Sequence, residues 1–309
     1  MNKWQKIGLA VGMGTAVITT THLINSIIFK SSTANNYTGK RIRSNYQWKF
    51  GNIAYITAGS GSPLLLIHDL NSYSSSYEWE QTINSFAKNH KVYAIDLLGC
   101  GHSDKPNLTY TTFMYTQLIN DFVLNVIRSK TDVVATAGST PIVIMAAFNN
   151  HALFNKIILV SPLSVEDALK GPDNLSGIRR HILNVPVIGT SVYNRPSLRK
   201  LLSKNFIDGR IPADYINACH ENAHLGDASA KYLFISTECN FTTVTISKAL
   251  SELDNCIYMI NGMHNNNDVI DEYIHINPAI ENVMIQDAKK LPQVEQPAEF
   301  VRQAEIFLN

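Results

Sequence analysis

An excess of charge of one sign is missing from this chain: 26 Lys and Arg face 25 Asp and Glu, a net charge of +1. That balance leaves no electrostatic footprint for nucleic acid, and no nucleic-acid partner is expected. Cysteine is scarce as well. Cys100, Cys219, Cys239 and Cys256 are scattered without any C-x-x-C spacing, which argues against both a disulfide framework and a zinc ribbon. Internal repeats and low-complexity runs are absent. Only 17% of residues are charged while 45% are hydrophobic. Over 309 residues that supplies a sizeable core and excludes disorder for most of the chain.

One segment has no charge at all. Ile7 to Phe29 contains no Asp, Glu, Lys or Arg, with Lys3, Lys6 and Lys30 as its flanks. At ~1.5 Å per residue such a stretch reaches across a hydrocarbon core of roughly 30 Å. Gly8 and Gly12 add a small-xxx-small step. The expectation is a single-pass membrane anchor over residues 1–30 and a polar linker over 31–45. Orientation stays open, because Lys40, Arg41 and Arg43 balance Lys3 and Lys6 across the stretch. Two alternatives stand beside it: a signal peptide cut near Ser32-Thr33-Ala34, giving a secreted protein, and a terminal helix lying on the domain.

Beyond the linker, Gln47 to Phe50 and Ile53 to Thr57 read as two strands joined by a Gly51-Asn52 turn. Continuous apolar runs follow at Pro63 to Ile67, Val92 to Leu97, Val133 to Ala137, Ile157 to Val160, Ile257 to Ile260 and Val283 to Ile285. Amphipathic stretches at Tyr77 to Lys88, Tyr115 to Ser129 and Ile142 to Asn150 alternate with them. Strand and helix in alternation predict an α/β fold, a mostly parallel sheet with helices on both faces. The alternation breaks between Leu163 and Leu250, a helix-leaning stretch with Pro186, Pro196 and Pro212 at its joints. We read residues 46–162 and 251–309 as the core and 163–250 as a helical cap over the carboxyl ends of the strands.

Three segments carry a resemblance. Leu64-Leu-Leu-Ile-His68-Asp69 ends an apolar strand. Tyr93-Ala-Ile-Asp96-Leu-Leu-Gly99-Cys-Gly101-His-Ser103-Asp104-Lys-Pro106 follows an Asp-x-x-Gly-x-Gly-x-Ser-x-x-Pro pattern. Leu291-Pro292-Gln-Val-Glu295-Gln-Pro297-Ala-Glu299-Phe300 lies near the end. In this order they resemble the α/β-hydrolase superfamily, in its capped, esterase and epoxide-hydrolase-like branch. The resemblance implies a Ser-Asp-His catalytic set with the nucleophile on a strained strand-to-helix turn. The matching turn is Ala135-Thr-Ala137-Gly138-Ser139. Spacing to the helix Ile142 to Asn150 and the strand Ile157 to Val160 puts Ala137 at the nucleophile position. A methyl group cannot attack a carbonyl. The acid position falls on Asn265 and the histidine position on Lys290, while Asp69 replaces the glycine expected at the oxyanion hole.

Fallback nucleophile or base candidates are Ser139, His264 and Asp268. His220-Glu221-Asn222-Ala223-His224 matches a short zinc-protease pattern, but in the cap of a fold that needs no metal it reads as a polar helix face. The expectation is therefore a membrane-tethered pseudoenzyme with a ligand-binding or partner-binding role. Its pocket would be walled by His68, Asp69, Ala137 and Gly138, would take a small apolar ligand, and would use no cofactor or metal. The alternative is an active esterase with a rearranged site.

Overall fold

The computed structural model describes residues 23–165, 171–173, 176–178 and 194–309. The anchor expected over 1–30 lies outside them except for its last turns. The expected cap helix Ile178 to Leu183 is likewise outside, apart from Ile178. Eight strands form one sheet: β1 (Ser44–Trp48), β2 (Gly51–Ala58), β3 (Ser62–Ile67), β4 (His90–Ile95), β5 (Thr131–Thr136), β6 (Phe154–Val160), β7 (Cys256–Gly262) and β8 (Glu281–Ile285). Their order is β1-β2-β4-β3-β5-β6-β7-β8. β2 runs antiparallel to both its neighbours, and every pair from β4 through β8 is parallel. The apolar runs of the inner strands are explained by burial on both faces. Leu65 and Ile67 enter one core layer, Leu64 and Leu66 the other.

The first hairpin differs from expectation. Trp48 pairs with Gly51, so its turn is Lys49-Phe50 and Gly51 opens β2. Gly51 is required there for another reason. Its φ is +146°, and a Cβ would lie 2.8 Å from the Cβ of Asp104, whose carboxylate accepts the Asn52 N–H at 2.7 Å.

Helices cover both faces of the sheet. In chain order the described ones are α1 (23–33), α2 (Ile83–Phe86), α3 (Thr112–Phe122), α4 (Thr140–Asn149), α5 (Arg195–Ser203), α6 (Ala213–Asn222), α7 (Lys231–Glu238), α8 (Ser247–Glu252), α9 (Asp268–Ile276), α10 (Pro292–Glu295) and α11 (Pro297–Leu308). Tyr77 to Lys88 does not form one helix. A 3-10 turn at Ser76–Trp79 precedes the short α2, which turns Glu78, Trp79, Ile83 and Phe86 inward together. The chain leaves the sheet after Val160 and returns at Cys256. Between them α5 and α6 build a small core of their own, with Leu198, Leu202, Phe206, Tyr215 and Ile216 packed on Tyr73, Leu291 and Val294 of the body.

Residues 23–43 touch the domain at a few points. On α1, Asn25 and Phe29 are buried, and the Phe29 ring lies 5.7 Å from that of His224. Leu23, Ile24 and Ile27 are exposed. Beyond the helix, the Tyr37 and Thr38 N–H groups donate to Glu221 at 2.7 and 3.1 Å, and the Thr38 hydroxyl donates to the same carboxylate at 2.6 Å. Thr38 also meets His102 Nε2 at 3.0 Å, so this strap joins the cap to the loop after β4. Among the described residues no helix is long and apolar enough to cross a membrane.

Candidate active site

β5 and α4 meet in a sharp bend at Ala137, whose φ is +43°. A side chain in that left-handed region costs roughly 1–2 kcal/mol, so the bend must be held by its surroundings. Two contacts hold it. The Thr140 hydroxyl donates to the Ala137 carbonyl at 2.7 Å, and the Gly138 N–H donates to Asp69 Oδ1 at 2.8 Å. Gly138 fits because a Cβ there would stand 2.9 Å from that same carboxylate oxygen.

Asp69 arrives from the end of β3. Its other oxygen accepts from the Asn71 side chain at 2.7 Å and lies 3.9 Å from Lys290 Nζ. Lys290 is itself placed by its N–H, which donates to the Asn205 carbonyl of the cap at 3.1 Å. Glu295 fixes the same turn, accepting from Lys289 N–H at 2.7 Å and Ile207 N–H at 2.9 Å. Gly262 lets the chain pass, since a Cβ would clash with the Lys289 carbonyl at 2.1 Å.

Behind Asp69 lies a group that carried no sequence signal. Glu78 is fully buried, accepts from the Asp69 N–H at 3.2 Å and from Gln293 Nε2 at 2.8 Å, and Gln293 reaches Thr136 at 3.3 Å. Burial, reinforced by the nearby Asp69 charge, pushes the Glu78 carboxyl up to about 7. Gln293 sits inside the quoted C-terminal motif, but nothing in its spacing announces a partner 215 residues away.

A cavity of about 300 Å³ opens between this turn and the cap. Asp69, Gly138 and Lys290 line it, with Leu70, Pro141, Leu163, Leu201 and Val244 as its apolar wall. His68 and Ala137, expected in that wall, stand behind it with no exposed surface. His68 Nδ1 faces its neighbour's carbonyl at 2.7 Å and Nε2 accepts the Leu97 N–H at 3.1 Å, so the ring joins β3 to β4. Burial pushes its pKa down and keeps it neutral. Ser139 is fully buried and donates to the His68 carbonyl at 2.6 Å. His264 and Asp268 are exposed, Asn265 sits in the turn after Gly262, and none of the three lines the cavity.

The strand-to-helix turn with a left-handed residue at its tip, under a cap inserted after β6, is the arrangement the motifs imply. Residues 64–303 match the model of the Alpha/beta hydrolase family. The chain belongs to the alpha/beta hydrolase family. The soluble epoxide hydrolase of Corynebacterium sp. (strain C12) is 29% identical over 106 residues, 34% of this chain and 36% of that protein. The match thus spans about a third of that relative's length. Among solved structures, a serine hydrolase involved in carbazole degradation superposes with a TM-score of 0.72 at 18% identity, covering 86% of this chain and 98% of that one. Carboxylesterase CesB from Bacillus subtilis gives 0.70 at 14% identity, with 94% and 98% covered. At these identities the two structures show the shared fold alone.

In alpha/beta hydrolases the amide after the nucleophile helps to bind the oxyanion. Here that amide belongs to Gly138, and Asp69 has taken it. The zinc-protease pattern also finds another use. Glu221 spends its carboxylate on the strap, and His224 Nδ1 donates to the His220 carbonyl at 2.6 Å. Among the described residues no group of three or more His, Cys, Asp or Glu is arranged to hold a metal.

Proposed function

We propose that this alpha/beta hydrolase-family chain is a binding protein without serine-hydrolase chemistry. It holds a small ligand under its cap and is tethered to a membrane by its N-terminal apolar segment. The elbow carries the first half of this reading. Its tip presents the methyl of Ala137, its amide is closed by Asp69 Oδ1 at 2.8 Å, and no histidine is among the described residues lining the cavity. With neither a nucleophile with its base nor an open oxyanion site among the described residues of the elbow, acyl transfer lacks its groups there.

A second reading, hydrolysis by water activated at Asp69, draws support from the neighbouring Glu78, whose carboxyl lies near neutrality. Against it, both Asp69 oxygens already accept hydrogen bonds. The test is a fluorophosphonate probe together with short-chain nitrophenyl esters on the full chain, with unfolded protein as control. No labelling and no turnover above the control are expected. Covalent labelling at Ser139, or turnover lost in Asp69→Asn, overturns the binding-protein reading.

Support for the tether comes from the uncharged stretch Ile7 to Phe29 and from Leu23, Ile24 and Ile27, exposed where it enters the described structure. Asn25 and Phe29 are committed to the domain, which leaves Ile7 to Ile24, about 27 Å as a helix, for the bilayer. Signal cleavage after Ala34 would discard this packed helix. In carbonate extraction of expressing cells the chain is expected in the membrane pellet, and release into the supernatant overturns the tether.

A further inference from the structure

The cavity at the elbow contains an imbalance of charge and of hydrogen bonding. Two lysines, Lys204 and Lys290, line it against one aspartate, Asp69. The Asp69 carboxylate is already met by the Gly138 amide and the Asn71 side chain. The lysines are less fully met: Lys290 Nζ forms one long ion pair with Asp69 at 3.9 Å, Lys204 is exposed at the rim, and among the described residues neither ammonium donates a hydrogen bond. Lys290 is also partly withdrawn from water, with 28% of its side chain exposed, so its donors are the less easily satisfied by bulk solvent.

We infer that the cavity takes a small organic anion, a carboxylate with a short apolar chain, whose head group lies between Lys204 and Lys290. This rests on the reading above that the site binds rather than cleaves, and it gives the small apolar ligand expected from sequence a charged head group. The ammonium groups supply two point charges without the fork of an arginine, which suits a compact head group. The chain lies along Leu70, Pro141, Leu163, Leu201 and Val244, away from the lysines' charge. About 300 Å³ holds roughly ten water-sized units, the size of a six- to eight-carbon acid. Lys290 occupies the position that the resemblance assigns to the catalytic histidine, so an amine stands where the resemblance expects an imidazole.

Isothermal titration of the full chain in a non-ionic detergent with hexanoate, hexyl phosphate, hexanol and hexylamine tests this. Hexanoate is expected to bind saturably and at least tenfold tighter than hexanol, with no binding of hexylamine. Lys290→Gln and Lys204→Gln are each expected to weaken hexanoate about tenfold, Lys290→Arg to retain most of the affinity, and the distant Lys248→Gln to change nothing. Melting curves establish that each variant is folded. Equal affinity for hexanol and hexanoate overturns the anion assignment while leaving a binding protein. Preference for hexyl phosphate that persists in Lys290→Gln overturns the carboxylate head-group site. Saturable hexanoate binding together with ester turnover leaves this inference standing and removes the reading on which it rests. No saturable binding of any probe overturns the assignment of the cavity as a ligand site.

Discussion

The loop after β4 and the turn after β5 lie at the same end of the sheet, and each centres on a buried carboxylate. In the first, Asp96 accepts from the Ser76 N–H at 2.6 Å and the His102 N–H at 2.9 Å, and lies 3.7 Å from the Arg43 guanidinium. Ser103 completes the loop, donating to the Asp96 carbonyl at 2.5 Å and accepting the Ala54 N–H at 2.8 Å. Burial alone would raise the Asp96 pKa, but Arg43 and the two amides outweigh it and hold it below the ordinary value. In the second, the backbone has the bend of a hydrolase elbow, yet Asp69 fills the amide meant for a transient charge. The first loop has side chains and backbone serving one end, closure of the chain. The second has the bend of a family elbow, and its side chains hold that bend. A permanent anion there holds a strained turn at the amide where the family places a transient one.

The sharpest way to break this comparison is to remove each carboxylate. Asp96→Ala leaves the Arg43 guanidinium without its counter-charge, held only by the Arg41 and Thr38 carbonyls, and two amides without a partner, so a loss of ~3–5 kcal/mol in urea unfolding is expected. Asp69→Ala should cost only ~1–2 kcal/mol, since Lys290 reaches solvent and the Glu78 carboxyl is relieved of a like charge. Equal losses would mean that the two sites are structural in the same sense.

Glu78 gives the next effect, and it depends on pH. Its folded-state pKa, about 7, lies above its ordinary 4.5, so the folded chain binds the proton more tightly than the unfolded one. The stability it contributes is complete below about pH 4.5 and is lost as pH rises through about 7. Glu78→Gln removes that dependence. Between pH 4.5 and pH 8 the stability of the variant relative to wild type should rise by on the order of 3 kcal/mol. Melting temperatures across that range check it, and parallel curves for the two proteins would show that Glu78 titrates normally.

The fold was largely legible in the sequence because inner strands buried on both faces must be apolar throughout, as Leu64 to Ile67 are. Boundaries failed where one residue served a distant one. Gly51 looked like a turn residue but is glycine because Asp104 crowds it. Thr38 and Glu221 looked like linker and polar helix face, and their pairing across 183 residues has no local signature. Ala137 and Lys290 were reached by counting within motifs, and the structure sets Ala137 at the bend and Lys290 at the cavity. That Asp69 would occupy the Gly138 amide, with Glu78 buried behind it, could not be reached so, because the meeting of four chain segments is a product of packing rather than of spacing.

Smaller effects sharpen the elbow itself. Ala137→Gly relieves the cost of φ +43° but adds freedom to the unfolded chain, two terms of opposite sign. Because the first is the larger, a gain of ~0.5–1 kcal/mol is expected in urea unfolding. Ala135→Gly, in the buried β5 strand, should lose a similar amount.

The smallest expected effect is the most telling. Ala137→Ser restores an alcohol at the tip of the bend, and ester turnover should stay at the level of unfolded protein. Among the described residues lining the cavity the hydroxyl would find no imidazole, and an attacked carbonyl would place its developing charge beside the Asp69 carboxylate, which already holds the Gly138 amide. Adding Asp69→Gly frees that amide but supplies no base, so the double variant should gain little, and a His at 290 should be needed as well. If Ala137→Ser alone hydrolyses nitrophenyl esters, the elbow has remained a working oxyanion site, and Asp69 moves aside rather than filling it.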